Sequence, residues 1–159
     1  MRRAGLTSIV VVLGAAADVV VDKTVLDDVT IVIDPEWQEG VAASIRAGLD
    51  VMTRDEGRDS AAIVSVSQPG LSADVLARVV TAHEGSELPV TIAKYRYQDS
   101  LPLVVHRNLW PRLMGLEGDP EPETLFKTHA EWVREVWVDL LPPTTVASAA
   151  DLEALAPRS

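Results

Sequence analysis

The sequence predicts an α/β protein, a doubly wound and mostly parallel Rossmann-like sheet, from two observations. Short apolar runs rich in β-branched residues recur at strand length, and segments with helical apolar spacing fall between them. The unit that sets the pattern is residues 60–72, where Ser60-Ala61-Ala62-Ile63-Val64 leads through Ser65, Val66 and Ser67 into Gln68-Pro69-Gly70. An apolar run ended by Gln-Pro-Gly and followed by an amphipathic helix reads as a buried parallel strand whose carboxyl end turns toward solvent. Locally this is an ordinary strand-turn-helix connection. Open α/β sheets nevertheless bind ligands at the carboxyl ends of their strands, so Ser65, Ser67 and Gln68 are the first polar side chains a ligand would meet.

Each element has its own signal. Residues 8–13, Ser-Ile-Val-Val-Val-Leu, form a continuous apolar strand, and Gly14 permits a tight turn before a helix beginning near Ala15. Residues 30–33 make a second short strand, stopped by Asp34-Pro35, because the residue before a proline is pushed toward extended geometry. Val41, Ile45, Gly48, Leu49 and Met52 then share one face of a helix. Ser72 is a natural N-cap for a helix whose buried stripe is Val75, Leu76, Val79 and Val80. Residues 89–95 and 101–106 are strand candidates with residues 97–100 as their link. Residues 108–116 are helical, with Pro111 in the first turn, where its missing N–H does no harm. A short helix over 124–131, a strand over 133–140, a stop at Pro142-Pro143 and a closing helix over 149–156 complete the order.

Length and composition bound the function. The 159 residues fit one domain, 1–159, with a core able to stand without disulfides, and the absence of cysteine removes thiolate chemistry and suits a reducing cytoplasm. No apolar run approaches the roughly 18 residues of a membrane span, and residues 9–13 are too short for the core of a signal peptide. Asp and Glu number 24 against 14 Lys and Arg, a formal charge of -10. Such a surface repels phosphate backbones and anionic lipid, so nucleic acid and membrane are not expected partners. His83, His106 and His129 lie on separate elements without metal-ligand spacing, and no metal ligands are assigned. They are expected at the surface or at helix ends, and Trp37, Trp110, Trp132 and Trp137 in the core. The serines near Ser67 have no base at recognisable spacing, so no catalytic residue is assigned.

Several segments, in order, carry a family resemblance. Val11-Val12-Leu13-Gly14-Ala15, the block from Asp34-Pro35-Glu36-Trp37 through Gly40 and Ser44 to Gly48-Leu49, and Gln68-Pro69-Gly70 before a helix resemble the MobA-like NTP transferases. The cytidylyltransferase branch of the molybdenum-cofactor nucleotidyltransferases is the most similar. Leu109-Trp110-Pro111, Leu116-Glu117-Gly118-Asp119 and the stretch from Ala150-Asp151 to Leu155 extend the match. The resemblance implies a nucleotide-diphospho-sugar-transferase-like sheet, CTP or GTP as nucleotide, Mg²⁺ as metal and molybdopterin as acceptor. It covers the later part of a family domain: the opening glycine-rich nucleotide loop has no counterpart here, so the sheet is expected to lack its first strand. That strand would lie between those of residues 8–13 and 62–66. The edges it leaves are expected to be closed by rearranged pairing, self-association or a partner chain.

Departures from the family pattern bear on mechanism. Ser67 stands where the family has a metal-holding aspartate before Gln-Pro, Ser100-Leu101-Pro102 where Gly-His-Pro is usual, and residues 145–149, Thr-Val-Ala-Ser-Ala, where Asp-x-Asp-Thr-Pro is usual. Phosphoryl transfer depends on positioning and neutralising phosphate charge, and a serine hydroxyl is a far weaker ligand for a hard cation than a carboxylate. The expectation is therefore an impaired or inactive transferase whose nucleotide-binding residues are Gly40, Ser44, Ser67 and Gln68, with a non-catalytic binding or scaffold subunit on the same fold as the alternative.

Overall fold

A computed structural model describes residues 1–6 and 8–155 of the chain. Its strands fall into two sheets. Strand β1 (Val10–Leu13) pairs in parallel with β2 (Thr30–Ile33), Val10 opposite Thr30 and Leu13 opposite Ile33. The larger sheet is formed by β3 (Ser60–Ile63), β4 (Val90–Tyr95), β5 (Gln98–His106) and β6 (Val133–Val138), in the spatial order β3-β5-β4-β6. Since β5 is antiparallel to β3 and β4, while β4 and β6 are parallel, three strands share one direction and β5 alone is reversed. The expected α/β class with parallel-dominated strands is what the chain adopts.

The reversed strand has a local cause. Only Arg96 and Tyr97 separate β4 from β5, and Arg96 adopts a positive φ of 53° in that tight turn. Residues 97–100, expected as a longer link, are instead drawn into β5 from Gln98 onward, with Lys94 opposite Asp99 and the two ion-paired at 3.3 Å.

Helices cover the larger sheet on both faces. On one, α2 (Val41–Thr53) and α4 (Trp110–Met114) bury Ile45, Leu49, Trp110 and Leu113 against Ala61, Val90, Ile92, Leu103 and Val105. On the other, α3 (Ala73–Glu84) buries Val75 and Val79 against Ala93, Tyr95, Val104 and Val136. Ser72 caps α3 as expected, its hydroxyl accepting the Asp74 N–H at 3.2 Å. Helix α2 also lies on β1, where a side chain at Gly48 would come 3.1 Å from Val12, so the small residue sets the approach. The same helix thus belongs to the packing of both sheets.

Among the described residues β1 pairs only with β2, and β3 only with β5, so each keeps one unpaired edge. These are the two strands expected to flank the family's first strand, and residues 8–13 have not been re-paired with β3. Helix α1 (Ala17–Lys23) follows β1, and α5 (Ala149–Leu155) ends the described chain; Ala156, expected in that helix, lies outside the described residues.

Two local expectations are corrected. Residues 124–131 form no α-helix but two short 3₁₀ turns, Pro122–Phe126 and Ala130–Trp132. Of the tryptophans Trp110 is a core anchor, at 1% exposure, and Trp132 packs partly buried against the same core, whereas Trp37 and Trp137 are 42% and 56% exposed. His83 takes the expected helix-end position, in the last turn of α3, and is buried there. No helix among the described residues is long and apolar enough to cross a membrane.

Candidate functional site

The carboxyl end of β3 delivers Ser65, Ser67 and Gln68 into one hydrogen-bonded turn. The Ser65 and Ser67 hydroxyls are 2.7 Å apart, the Ser67 N–H donates to Ser65 Oγ at 3.2 Å, and the Gln68 N–H donates to the Ser65 carbonyl at 3.2 Å. Gln68 Nε2 reaches across to Ser100 Oγ on β5 at 3.3 Å, while Gln68 Oε1 is buried with no partner. A buried acceptor without a donor is costly, and a ligand N–H or O–H is one way to satisfy it.

Residues 145–149 close over this turn. The Val146 N–H donates to the Ser67 carbonyl at 2.7 Å. The two segments in which the resemblance places metal-holding carboxylates therefore meet in the fold, but carry a hydroxyl and an isopropyl group. Asp151, a few residues on, is turned away to its own helix: its carboxylate accepts the Ser148 hydroxyl at 2.8 Å and the Ala147 and Ser148 N–H groups. Those bonds, the Ser148 hydroxyl first, hold its carboxyl below the usual aspartate range.

Gly40 and Ser44 form a second cluster at the start of α2. Gly40 takes φ of 104°, where L side chains are strained, and a Cβ there would collide with the Gly118 carbonyl. The helix's first donors are already taken, Val41 N–H by Asp119 Oδ1 at 3.1 Å and Ala42 N–H by the Gly118 carbonyl at 3.2 Å. Ser44 donates its hydroxyl to Asp34 Oδ2 at 2.9 Å, and Asp34 Oδ1 accepts the Glu36 N–H at 2.9 Å. Gly40 and Ser44 thus stand together, as do Ser67 and Gln68; no hydrogen bond among the described residues joins the two pairs.

Three participants escaped the sequence reading. Asp34, 2% exposed, reads as a strand stop before Pro35 and as the first residue of the resemblance block, and nothing in the spacing pairs its side chain with Ser44. Ser100 was noted as a departure from a family motif, not as the partner of Gln68. Val146 contributes through its backbone, which no side-chain motif reports. Among the described residues no group of three or more His, Cys, Asp or Glu could hold a metal. The donors around Ser67 are two hydroxyls and an amide oxygen, all neutral, and they do not fit Mg²⁺, which dehydrates reluctantly and is held through carboxylates and phosphates.

The chain is similar to several known proteins. Nicotine blue oxidoreductase of Paenarthrobacter nicotinovorans is 26% identical over 156 residues, covering 94% of this chain and 72% of that protein. The crystal structure of an Rv0371c homologue from Mycobacterium sp. strain JC1 superposes with a TM-score of 0.82 at 26% identity, over 97% of this chain and 76% of that one. Rv0371c of Mycobacterium tuberculosis H37Rv, crystallised in complex with manganese, gives 0.78 at 25% identity, over 97% and 80%. Residues 1–133, most of the chain, match the model of the MobA-like NTP transferase domain, and the chain belongs to that nucleotidyltransferase-related family.

Proposed function

We propose that this chain is a nucleotide-binding member of the family that is impaired in metal-dependent nucleotidyl transfer. Its ligands are CTP or GTP and molybdopterin, and its contacts to them Gly40, Ser44, Ser67 and Gln68. The observation that carries the reading is the hydrogen bond from Val146 N–H to the Ser67 carbonyl, which joins the two segments at 2.7 Å without a carboxylate between them. Neutral oxygens there leave the charge developing on a transferred phosphoryl group without a metal to balance it. The unpartnered Gln68 Oε1 supports a role in accepting a donor from a bound ligand.

A second reading, a non-catalytic scaffold subunit, is favoured by the start of α2, where Gly118, Asp119 and Asp34 already occupy the groups a nucleotide would need. Under either reading, the unpaired edges of β1 and β3 are where a second copy or a partner strand would add.

The test offers CTP or GTP, Mg²⁺ or Mn²⁺, and a molybdopterin acceptor, and follows pyrophosphate release. No release above a no-protein control is expected, and EDTA-sensitive turnover would overturn the impaired reading. Calorimetric titration with CTP and GTP separates the remaining two: heat of binding lost in Gln68→Ala favours a nucleotide binder, and no heat for either favours the scaffold. Sedimentation at micromolar concentration decides self-association, a monomer excluding it.

A further inference from the structure

At the opposite end of β3, a cavity of about 700 Å³ opens between the start of that strand, the end of α3 and the end of β5. Ser60 and His83 face it, with Ser60 Oγ 2.8 Å from His83 Nε2. Behind the imidazole, His83 Nδ1 lies 3.0 Å from the hydroxyl of Thr91, which is fully buried on β4. A nucleophile within hydrogen-bond reach of a base, itself oriented by a third group, is the arrangement that activates a hydroxyl. We propose that Ser60, His83 and Thr91 form an esterase-type site for neutral or cationic acyl esters, with Ser60 as nucleophile, His83 as base and Thr91 as its positioning residue.

The tautomer that donates Nδ1–H to Thr91 leaves the Nε2 lone pair for the Ser60 hydroxyl. Burial first, then the neighbouring His106, lower the His83 pKa, while Glu84 opposes them, a balance that favours the free-base imidazole. Asp59, Glu84 and Glu87 line the cavity without an ion pair among the described residues, which disfavours anionic substrates. In the reaction Ser60 Oγ bonds to the acyl carbon as its proton passes to His83 Nε2. The ester C–O bond breaks and the departing alkoxide takes that proton. Water, deprotonated by the same nitrogen, then releases the carboxylic acid and restores Ser60. This site is independent of the nucleotide reading, since it uses none of the same residues.

The test treats the protein with an alkyl fluorophosphonate, maps the adduct by peptide mass spectrometry, and follows hydrolysis of p-nitrophenyl acetate. The expected result is an adduct on Ser60 that disappears in Ser60→Ala and forms at least tenfold more slowly in His83→Gln. The hydrolysis rate should rise with pH through an apparent pKa below the ordinary histidine value, set by His83 against His106, Glu84, Asp59 and Glu87. Thr91→Val should slow labelling and shift that profile, while Thr91→Ser restores both. No adduct on the folded wild-type protein, or an adduct only on another serine, would overturn the proposal, and neither result depends on a variant folding.

Discussion

The two sheets of this molecule are built from similar strands and differ in how they are covered. In the larger sheet, β4 and β5 are buried along almost their whole length between α2 and α4 on one face and α3 on the other. In the smaller, β1 is half-buried and β2 is largely exposed, with Ile33 at 60%. Hydrophobic burial is the main favourable term in folding, so stability concentrates in the larger sheet, and the β1–β2 pair depends on α2 and on Asp34 for its place. The carboxyl-edge turn at Ser67 and Gln68 is anchored to the first region, whereas Gly40 and Ser44 belong to the seam with the second.

The largest test of this contrast is Leu103→Ala. Leu103 is fully buried in the main core, and removing a buried leucine side chain typically costs about 2–5 kcal/mol. Urea unfolding should show a loss of that size, and amides of both sheets should lose protection from hydrogen exchange together. An effect under about 1 kcal/mol would mean that stability is not concentrated there.

Gly40→Val attacks the seam. The substituted residue must hold a φ of 104° and displace the Gly118 carbonyl, and strained backbone alone costs about 1–3 kcal/mol. Hydrogen exchange should quicken in β1, β2 and the first turn of α2 while the β4–β5 amides keep their protection. Equal loosening of both sheets would erase the distinction between them. A smaller effect comes from Asp34→Asn, which keeps an acceptor for the Glu36 N–H but weakens the bond from Ser44, a change of about 1 kcal/mol visible as a lowered urea midpoint.

The same contrast explains what the sequence made legible. The strands at residues 10–13, 30–33 and 60–63 follow from short apolar runs bounded by turn residues, and the helix faces of α2 and α3 from periodicity, because a buried stripe must repeat with the backbone. The Ser67-Gln68 turn followed from Pro69 and Gly70, which punctuate the chain locally. Partnerships across long separations left no such trace. Ser44 with Asp34, Gly40 with Gly118, Gln68 with Ser100 and Ser67 with Val146 depend on how the loops meet after the sheets have formed. The antiparallel insertion of β5 was hidden for a related reason: Asp99 reads as a loop residue until Lys94 is placed opposite it.

The smallest expected effect concerns Glu123, which sits in the Pro122–Phe126 turn packed on the main core, with Oε2 buried and unpartnered. Burial, as the leading cause, raises its pKa above the ordinary glutamate value; Glu121 and Asp99 push the same way, while a backbone hydrogen bond and Lys127 oppose them. Because the folded state holds this proton more tightly than the unfolded chain, the contribution to stability is fully present below the ordinary glutamate pKa. It is lost as pH rises through the raised folded value. At neutral pH the folded protein therefore carries the cost of an ionised or reluctantly neutral buried acid, which the isosteric amide of Glu123→Gln does not have. Thermal melts of the two proteins between about pH 4 and pH 8 should show the variant more stable at the upper end and the gap closing toward the lower. Acid loss of stability through His83, whose lowered pKa acts in the opposite direction, is common to both proteins and cancels in the difference. Parallel melting curves would show that the Glu123 carboxylate is solvated in solution, and would place the limit of the main core short of the 122–126 turn.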